Sequence, residues 1–312
     1  MGYAFSVKKV RFLISLCGLI SLSACSAAKS IGPEEAKELL RKNSDRIAQE
    51  SFSMPTSLSM KGETTVKVFQ DSTSDNSDWE TRWRTFLEYD AEKECLSRAS
   101  IQQQIHYSPY LDETSKGYLY LWKEDGAYFT ATSKVEEKNG VEIRSKHTWE
   151  ELSSEEFHQI LSDAAALYFP LIDKEKLIEH LESLSQTIDS FLEQTASNSR
   201  GPLEGEAEAK AEFSSSGAGN LTIAFSESES SLLEDQTGFS EVANANEEKE
   251  VFDSFLPLSQ EVHRTHKVRN NSGEIVSEWH TDDLLEHRWG SCSFQVPDLS
   301  QYPEDSAWRG NI

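Results

Sequence analysis

The chain has 312 residues, and its 54 acidic residues outnumber 30 lysines and arginines, which gives a formal net charge of −24 at pH 7. Such a charge argues against nucleic acid as a partner, and against docking of the protein surface itself on anionic lipid. Hydrophobic residues make up 37% of the chain and aromatic residues 10%. This composition is sufficient for the hydrophobic core of a folded domain.

Residues 1–24 have the features of an export signal. Lys8, Lys9 and Arg11 precede an apolar run of about 11 residues, which is too short to span a bilayer as a helix. The run ends at Leu22-Ser23-Ala24-Cys25, which resembles a bacterial lipobox. The alternative is an ordinary secretory signal that is cut and lost.

The lipobox resemblance implies an anchor. In that family a signal peptidase recognises the residues equivalent to Leu22, Ser23 and Ala24 and cuts before the cysteine, whose sulfur is joined to diacylglycerol. Two acyl chains are enough for stable anchoring. We therefore expect Cys25 to hold the protein on a bacterial cell membrane or outer membrane, facing outside the cytoplasm.

Only two cysteines follow Cys25, and they are far apart in sequence. Cys95 and Cys292 would close a loop of about 200 residues, and a disulfide of that span stabilises a protein outside the cytoplasm. The alternative is a pair of buried free thiols. The sequence leaves both alternatives open, because it does not place the two Cα atoms within reach of each other.

The mature chain begins with a short tether and a helix. Residues 25–32 predict a lipidated cysteine and a tether of small residues, and 33–312 predict a single domain. Gly32 and Pro33 form a helix-start signal, followed by two acidic residues. One helical face is marked by Ala36, Leu39, Leu40, Asn43 and Ile47.

Residues 56–149 alternate with the period of β-strands. Trp79, Thr81 and Trp83 fall on one side of a strand, and Asp125-Gly126 and Asn139-Gly140 are hairpin signals. Residues 118–122 carry bulky side chains on both faces. A sheet that is apolar on both sides needs two covers, or one cover and a ligand.

A pair of helices is predicted next in the chain. Ser153 and Glu156 form a capping box, Pro170 ends that helix, and Asp173 caps the following one. The second helix has an apolar stripe, for which packing on the sheet is favoured over a coiled-coil partner. The stripe consists of Leu177, Leu181, Leu184, Ile188 and Phe191.

Strand patterning resumes after the helices. Residues 206–213 and 221–225 predict a hairpin, about 226–250 predict a long exposed acidic loop, and 262–296 predict further strands interrupted at 270–273. An irregular tail is expected from 297 to the end.

The order of elements predicts an α+β fold. A curved, half-barrel-like antiparallel sheet is covered by an N-terminal helix and a central helical pair. This order resembles the lipid carriers of the LolA and LppX type by architecture alone, and the resemblance implies an acyl ligand between sheet and helices. The candidate lining of such a cavity is Trp79, Trp83, Tyr118, Tyr120, Trp122 and Leu184.

No catalytic motif is present in the sequence, and we expect a non-catalytic binding module without a cofactor. His263 and His266 are predicted to lie on opposite faces of a strand, and His280 and His287 flank a predicted turn, so no metal site is expected. The competing function is a structural or interaction lipoprotein with a dry core, which binds a protein partner through its acidic surface.

Overall fold

In a computed structural model, the described residues are 28–70, 78–107, 110–198, 205–216, 220–235, 238–253, 256–270 and 272–302. They form one antiparallel sheet of 12 strands with three α-helices. None of the helices in these ranges is long and apolar enough to span a membrane. The predicted α+β fold is therefore confirmed.

The strands form two antiparallel meanders. The first is β2 to β7, with bounds Ser57–Gln70, Trp79–Asp90, Cys95–Tyr107, Tyr110–Glu124, Ala127–Lys138 and Val141–Leu152. The second is β8 to β12, with bounds Gly205–Ser216, Asn220–Asp235, Gly238–Asp253, Leu256–Arg269 and Ile275–Trp289. A short β1, Lys29–Ile31, pairs with β8.

The two meanders join through the pairing of β12 with β2. The sheet order is β1-β8-β9-β10-β11-β12-β2-β3-β4-β5-β6-β7, so β1 and β7 are the edges and the sheet does not close. This arrangement agrees with the predicted curved sheet. We call the face on which the helices pack the inner face, and the opposite one the outer face.

The helices cover the inner face at two separate places. Helices α1, Pro33–Ala48, and α3, Lys174–Asn198, pack on each other and on β8 and β9 around one hydrophobic core. Helix α2, Ser154–Tyr168, covers a second core, to which Leu58, Leu87 and Leu121 contribute. The predicted helical pair is thus split, because α3 packs on α1 and α2 covers the other meander.

Local signals set the ends of these elements as predicted. Helix α1 begins after Gly32 with proline in its first turn, and the Ser153–Glu156 capping box starts α2. The Asp173 carboxylate accepts hydrogen bonds from the first backbone amides of α3. Both predicted hairpin dipeptides, Asp125-Gly126 and Asn139-Gly140, have positive φ at each residue, as a type I′ turn requires.

The predicted acidic loop at 226–250 is wrong. Residues up to 235 continue β9, and those from 238 belong to β10, with the two strands paired along their whole length. Polar residues are tolerated there because the helices do not extend over this part of the sheet, so its side chains need partners and not an apolar cover. The tether prediction also changes, since Lys29–Ile31 is strand β1.

A segment without regular strand structure covers the outer face. Residues 290–302, which we call the strap, leave the end of β12 and cross β2 and β3 towards β6 and β7. Residues 290–296 were predicted to continue a strand, but Gly290 adopts φ +71° and turns the chain away. The short helical turn at Leu299–Gln301 lies in the part predicted to be irregular.

Candidate functional site

The candidate site is a concave region of the inner face that spans five strands, which we call the β8–β12 groove. Its volume is about 610 Å³, within the range of small-molecule sites. The groove begins where the cover by α1 and α3 ends. Its inner-facing lining is Ala209, Glu227, Glu229, Asn244, Asn246, Arg264, His266, Trp279 and Thr281.

Strand register arranges this lining in two rows across the sheet. In one row, Glu229 is opposite Asn244, Asn244 is opposite His266, and His266 is opposite Trp279. The second row is Ala209, Glu227, Asn246, Arg264 and Thr281, again with one residue from each strand. Directly opposed side chains in antiparallel strands are close enough to interact, so the polar residues within each row are neighbours in space.

Hydrogen bonds hold the two carboxylates in place. Asn244 donates from Nδ2 to Glu229 Oε1 at 2.9 Å, and Asn246 donates from Nδ2 to Glu227 Oε1 at 3.2 Å. His266 Nδ1 lies 2.7 Å from Asn244 Oδ1 and donates to it, because an amide oxygen only accepts. In the second row, Asn246 Oδ1 is buried and has no hydrogen-bond partner among the described residues.

The groove has an excess of negative charge. Among the described residues, no lysine, arginine or histidine is within ion-pair distance of Glu227 or Glu229, and their side-chain partners are the amides of Asn246 and Asn244. Arg264 donates to Asp283 Oδ2 at 3.0 Å, and Thr64 donates to the other oxygen of Asp283 at 2.7 Å. The single arginine of the groove is thus already neutralised.

An aromatic surface completes the site. Trp279 is 52% exposed, which is unusually high for so large an apolar side chain, and it lies at the end of the row beside His266. A ring with one exposed face next to fixed carboxylates and amides provides both an apolar platform and hydrogen-bonding groups. This combination suits a ligand that has an apolar face and a polar edge.

A second polar cluster consists of His180, Glu250 and His287, of which Glu250 and His287 are buried. His180 of α3 contacts Glu250 Oε1 at 2.7 Å through Nε2. Burial acts to lower the pKa of His180, but the hydrogen bond and the charge of Glu250 together raise it. Burial, with the charge of His180, lowers the pKa of His287 to about 4. His287 Nδ1 and Glu250 Oε2 are buried, and the part of the chain that the structure describes offers neither atom a hydrogen-bond partner.

The predicted lining of an apolar cavity is divided among different surroundings. Trp79 and Trp83 lie on the inner face of β3, whereas Leu184 is packed in the core between α3, α1 and β8. The other three, Tyr118, Tyr120 and Trp122, lie on the outer face, because inner-facing Leu119 and Leu121 alternate with them. These six residues do not line one cavity.

The predicted helical stripe is confirmed as packing on the sheet and on α1. Leu177, Leu181 and Ile188 have no exposed surface, and Leu184 is partly buried beside them.

The histidines of the second meander lie on different faces and strands of the sheet. His263 pairs with Asp282 on the outer face and His266 with Asn244 on the inner face, as predicted. His280 and His287 both lie within β12, so the predicted turn between them is wrong. Within the described ranges, no group of three metal-ligating side chains converges.

Residues 1–27 are outside the described residues, so Leu22, Ser23, Ala24 and Cys25 stay predictions. The groove itself was missed by the sequence reasoning, because 226–250 was interpreted as a loop. One signal was present: Glu227 and Glu229, like Asn244 and Asn246, are two residues apart, as expected for one face of a strand.

Comparisons with known proteins leave the family open. No protein-family model matches the chain, and no curated protein does. Among solved structures, the crystal structure of an N-terminal dehydratase from the difficidin assembly line aligns over 88% of each chain. Its sequence identity is 8% and its TM-score is 0.12, which carries no structural inference.

Proposed function

We propose that this chain is a membrane-anchored, non-catalytic binding module whose ligand occupies the β8–β12 groove. The observation that carries the proposal is the pair of fixed carboxylates, Glu227 and Glu229, beside an exposed Trp279 in a concave surface of about 610 Å³. Polar side chains occur on both faces of these strands. On the inner face, however, two carboxylates and two amides lie in neighbouring register positions beside an exposed tryptophan.

The ligand class that fits is a saccharide. A sugar hydroxyl donates to a carboxylate and accepts from an amide, and the apolar face of a pyranose ring suits an exposed indole. The buried Asn246 Oδ1 needs a donor, which a hydroxyl supplies. A long acyl chain would instead leave these fixed polar groups unpaired.

The position of the groove suits an anchored receptor. Only Ser26, Ala27 and Ala28 separate Cys25 from β1, whose Lys29 pairs with Ser215 of β8. Ala209 of the groove lies six residues from Ser215 along β8, or about 20 Å at the rise of a strand. A lipid on Cys25 would therefore hold the helix-covered end near the membrane and direct the groove away from it.

Ligand binding is testable with the full chain in detergent micelles, first on an oligosaccharide array and then by calorimetric titration. Trp279→Ala should weaken binding of the selected saccharide by about tenfold or more, since the stacking platform is lost. Trp83→Ala is the matched control, because Trp83 is a partly exposed tryptophan on the same face outside the groove. An equal loss of affinity in both variants would count against a saccharide site. Binding of polyamines in place of sugars by the unmodified chain would also count against it.

The anchor is tested separately. Cys25→Ser should abolish labelling by a metabolic acyl probe and release the protein from the membrane fraction, because the acceptor sulfur is gone. Labelling that persists in this variant would contradict the assignment, and it would leave the groove proposal untouched.

The lipid ligand implied by the carrier resemblance stays a prediction without support from the packing. The apolar stripe of α3 is buried in the core, and Leu181 has no exposed surface that an acyl chain could contact. Native mass spectrometry of the chain made without its lipid group would reveal a co-purified lipid. Binding of a protein partner through the acidic surface likewise stays a prediction.

A further inference from the structure

The two cysteines of the folded domain meet under the strap on the outer face. Cys95 begins β4 and is 3% exposed, and it forms a buried cluster with Trp122 and Ala131. Cys292 belongs to the strap, packs against this cluster and is partly exposed. Because Cys292 packs against the cluster that contains Cys95, the two thiols are neighbours in space although they are far apart in sequence.

Hydrogen bonds on both sides of Cys292 hold it over β4. The Ser59 hydroxyl of β2 donates to the backbone oxygen of Ser291 at 3.0 Å. The backbone amide and the hydroxyl of Ser293 both donate to the Glu88 carboxylate of β3, each at 2.8 Å. Cys292 is therefore positioned by residues immediately before and after it, and its contact with Cys95 does not depend on a freely moving chain end.

Aromatic contacts fix the rest of the strap. Phe294 meets Tyr120 edge to face at 6.5 Å, and Tyr302 meets His147 of β7 at 5.3 Å. Beneath them, Trp122 stacks on Phe129 at 5.3 Å. The strap is thus the outer cover that the two-faced apolar residues 118–122 require, and among the described strands none pairs with it to hold it there.

We propose that Cys95 and Cys292 form a disulfide that fastens the strap to the sheet. The oxidant is a second disulfide, from a low-molecular-weight or protein donor of an oxidising compartment. A Cys292 thiolate attacks one donor sulfur and forms a mixed disulfide, and the Cys95 thiolate then attacks the Cys292 sulfur and displaces the second donor thiolate. The two cysteines lose two electrons and two protons, and the donor disulfide becomes two thiols.

The surroundings determine when this step occurs. Burial raises the pKa of Cys95 to about 12 and also raises the pKa of Cys292, so neither thiol has much thiolate in the closed fold at neutral pH. Oxidation should be fast while the strap is still open during folding and slow afterwards. Export would supply the oxidising compartment, but the groove plays no part in this proposal.

Peptide mapping tests the bridge directly. The full chain is refolded with oxidised glutathione, denatured, alkylated with iodoacetamide and digested. Mass spectrometry should then find the Cys95 and Cys292 peptides linked, and this assignment by peptide excludes confusion with Cys17 or Cys25. Separately alkylated Cys95 and Cys292 peptides after this treatment overturn the proposal.

Thermal melts test what the bridge does. Reduction should lower the Tm by about 10 °C, because the bridge closes a loop of about 200 residues. Cys292→Ser should melt at one temperature with or without reductant. Ser293→Ala is the matched control, because it loses the Ser293 hydroxyl contact with Glu88 but keeps both thiols, and it should retain the full redox-dependent shift. A redox-independent Tm in the unmodified chain would show that the bridge does not fasten the strap.

Discussion

The same strands have two different chemistries on the inner face, depending on whether helices cover them. In β9, the inner-facing Leu221, Ile223 and Phe225 are buried under α1 and α3, and two residues further on the sequence changes to Glu227 and Glu229. In β10 the change is more gradual: Phe252 is fully buried, Glu250 is buried but charged, and Asn246 and Asn244 line the groove. We call these the covered and the uncovered half of the second meander.

This difference separates stability from binding. Burial of apolar surface is the main favourable term in folding, and it is concentrated in the covered half. The uncovered half contributes little hydrophobic burial, so its side chains are not needed for stability and can serve to bind a ligand. Substitutions in the two halves should therefore have opposite profiles, with large effects on unfolding in one and large effects on binding in the other.

The largest expected effect is in α3, the helix that packs on the covered half. Leu181→Asp places a carboxylate where no side-chain surface is exposed, and should lower the free energy of unfolding by about 4 kcal/mol or more. Leu184→Asp, at a partly buried position, should cost less. Ser228→Asp in the uncovered half is the control and should change stability by less than about 0.5 kcal/mol. Urea unfolding measures the stability of all three variants. Similar losses of unfolding free energy would mean that the two halves contribute equally to stability.

The next effect concerns pH, at the border of the covered half. The folded pKa of His287, about 4, is below its ordinary value, so the unfolded state binds more protons between pH 6.5 and 4, and stability falls as the pH falls through that window. Between pH 7 and pH 4.5, the free energy of unfolding should fall by about 2 to 3 kcal/mol less in His287→Leu than in the unmodified chain.

His180 does not contribute to this acid loss. Its pKa is raised in the fold, so its stabilising contribution is fully present below its unfolded pKa and disappears only as the pH rises through the folded value. His263→Gln, at an exposed position, is the control and should lose stability with acid as the unmodified chain does. Identical pH profiles for His287→Leu and the unmodified chain would contradict a buried neutral imidazole.

In the uncovered half the expected effect is on binding. Glu229→Gln keeps the shape of the side chain but removes its charge, and should weaken saccharide affinity by about tenfold, or about 1.4 kcal/mol. Its melting temperature should stay the same, because Glu229 is exposed. Glu247→Gln, on the outer face of the neighbouring strand, should bind normally. A lower melting temperature without weaker binding would assign Glu229 to the fold and not to the site.

The smallest expected effect is a difference in stability between substitutions in the two turns that flank β6. Gly126 and Gly140 both have positive φ and open space where the methyl group of an alanine would lie, so alanine strains the backbone similarly at each, by about 1 kcal/mol. Gly126 lies at the end of the first meander that α2 covers, and Gly140 lies at the opposite, exposed hairpin tip. We expect Gly126→Ala to lower global stability by the full amount and Gly140→Ala by less, because the distal hairpin opens locally. Hydrogen exchange distinguishes the two cases, and equal global losses would show that the uncovered end unfolds together with the core.

The elements that local sequence signals specify are the ones that the sequence predicts correctly. The Ser153–Glu156 capping box, the Asp173 cap and the two positive-φ dipeptides depend on neighbours within a few residues, and the structure has all of them. Reasoning from the sequence failed at 226–250, because polar alternation is shared by exposed strands and by loops. What decides between them is the partner strand, and pairing of β9 with β10 is a contact that no window of sequence contains.

The sequence by itself determined the composition, the helices with their caps, and the alternation of the first meander. It also predicts the export signal and lipobox of residues 1–25. Only the tertiary structure decided which faces meet. It placed α3 on α1, divided the six candidate lining residues between two faces, aligned Glu229, Asn244, His266 and Trp279 across four strands, and brought Cys95 and Cys292 into contact. The physical reason is that caps and turns arise from hydrogen bonds between near neighbours, whereas a groove or a thiol pair depends on register between strands that are distant in sequence.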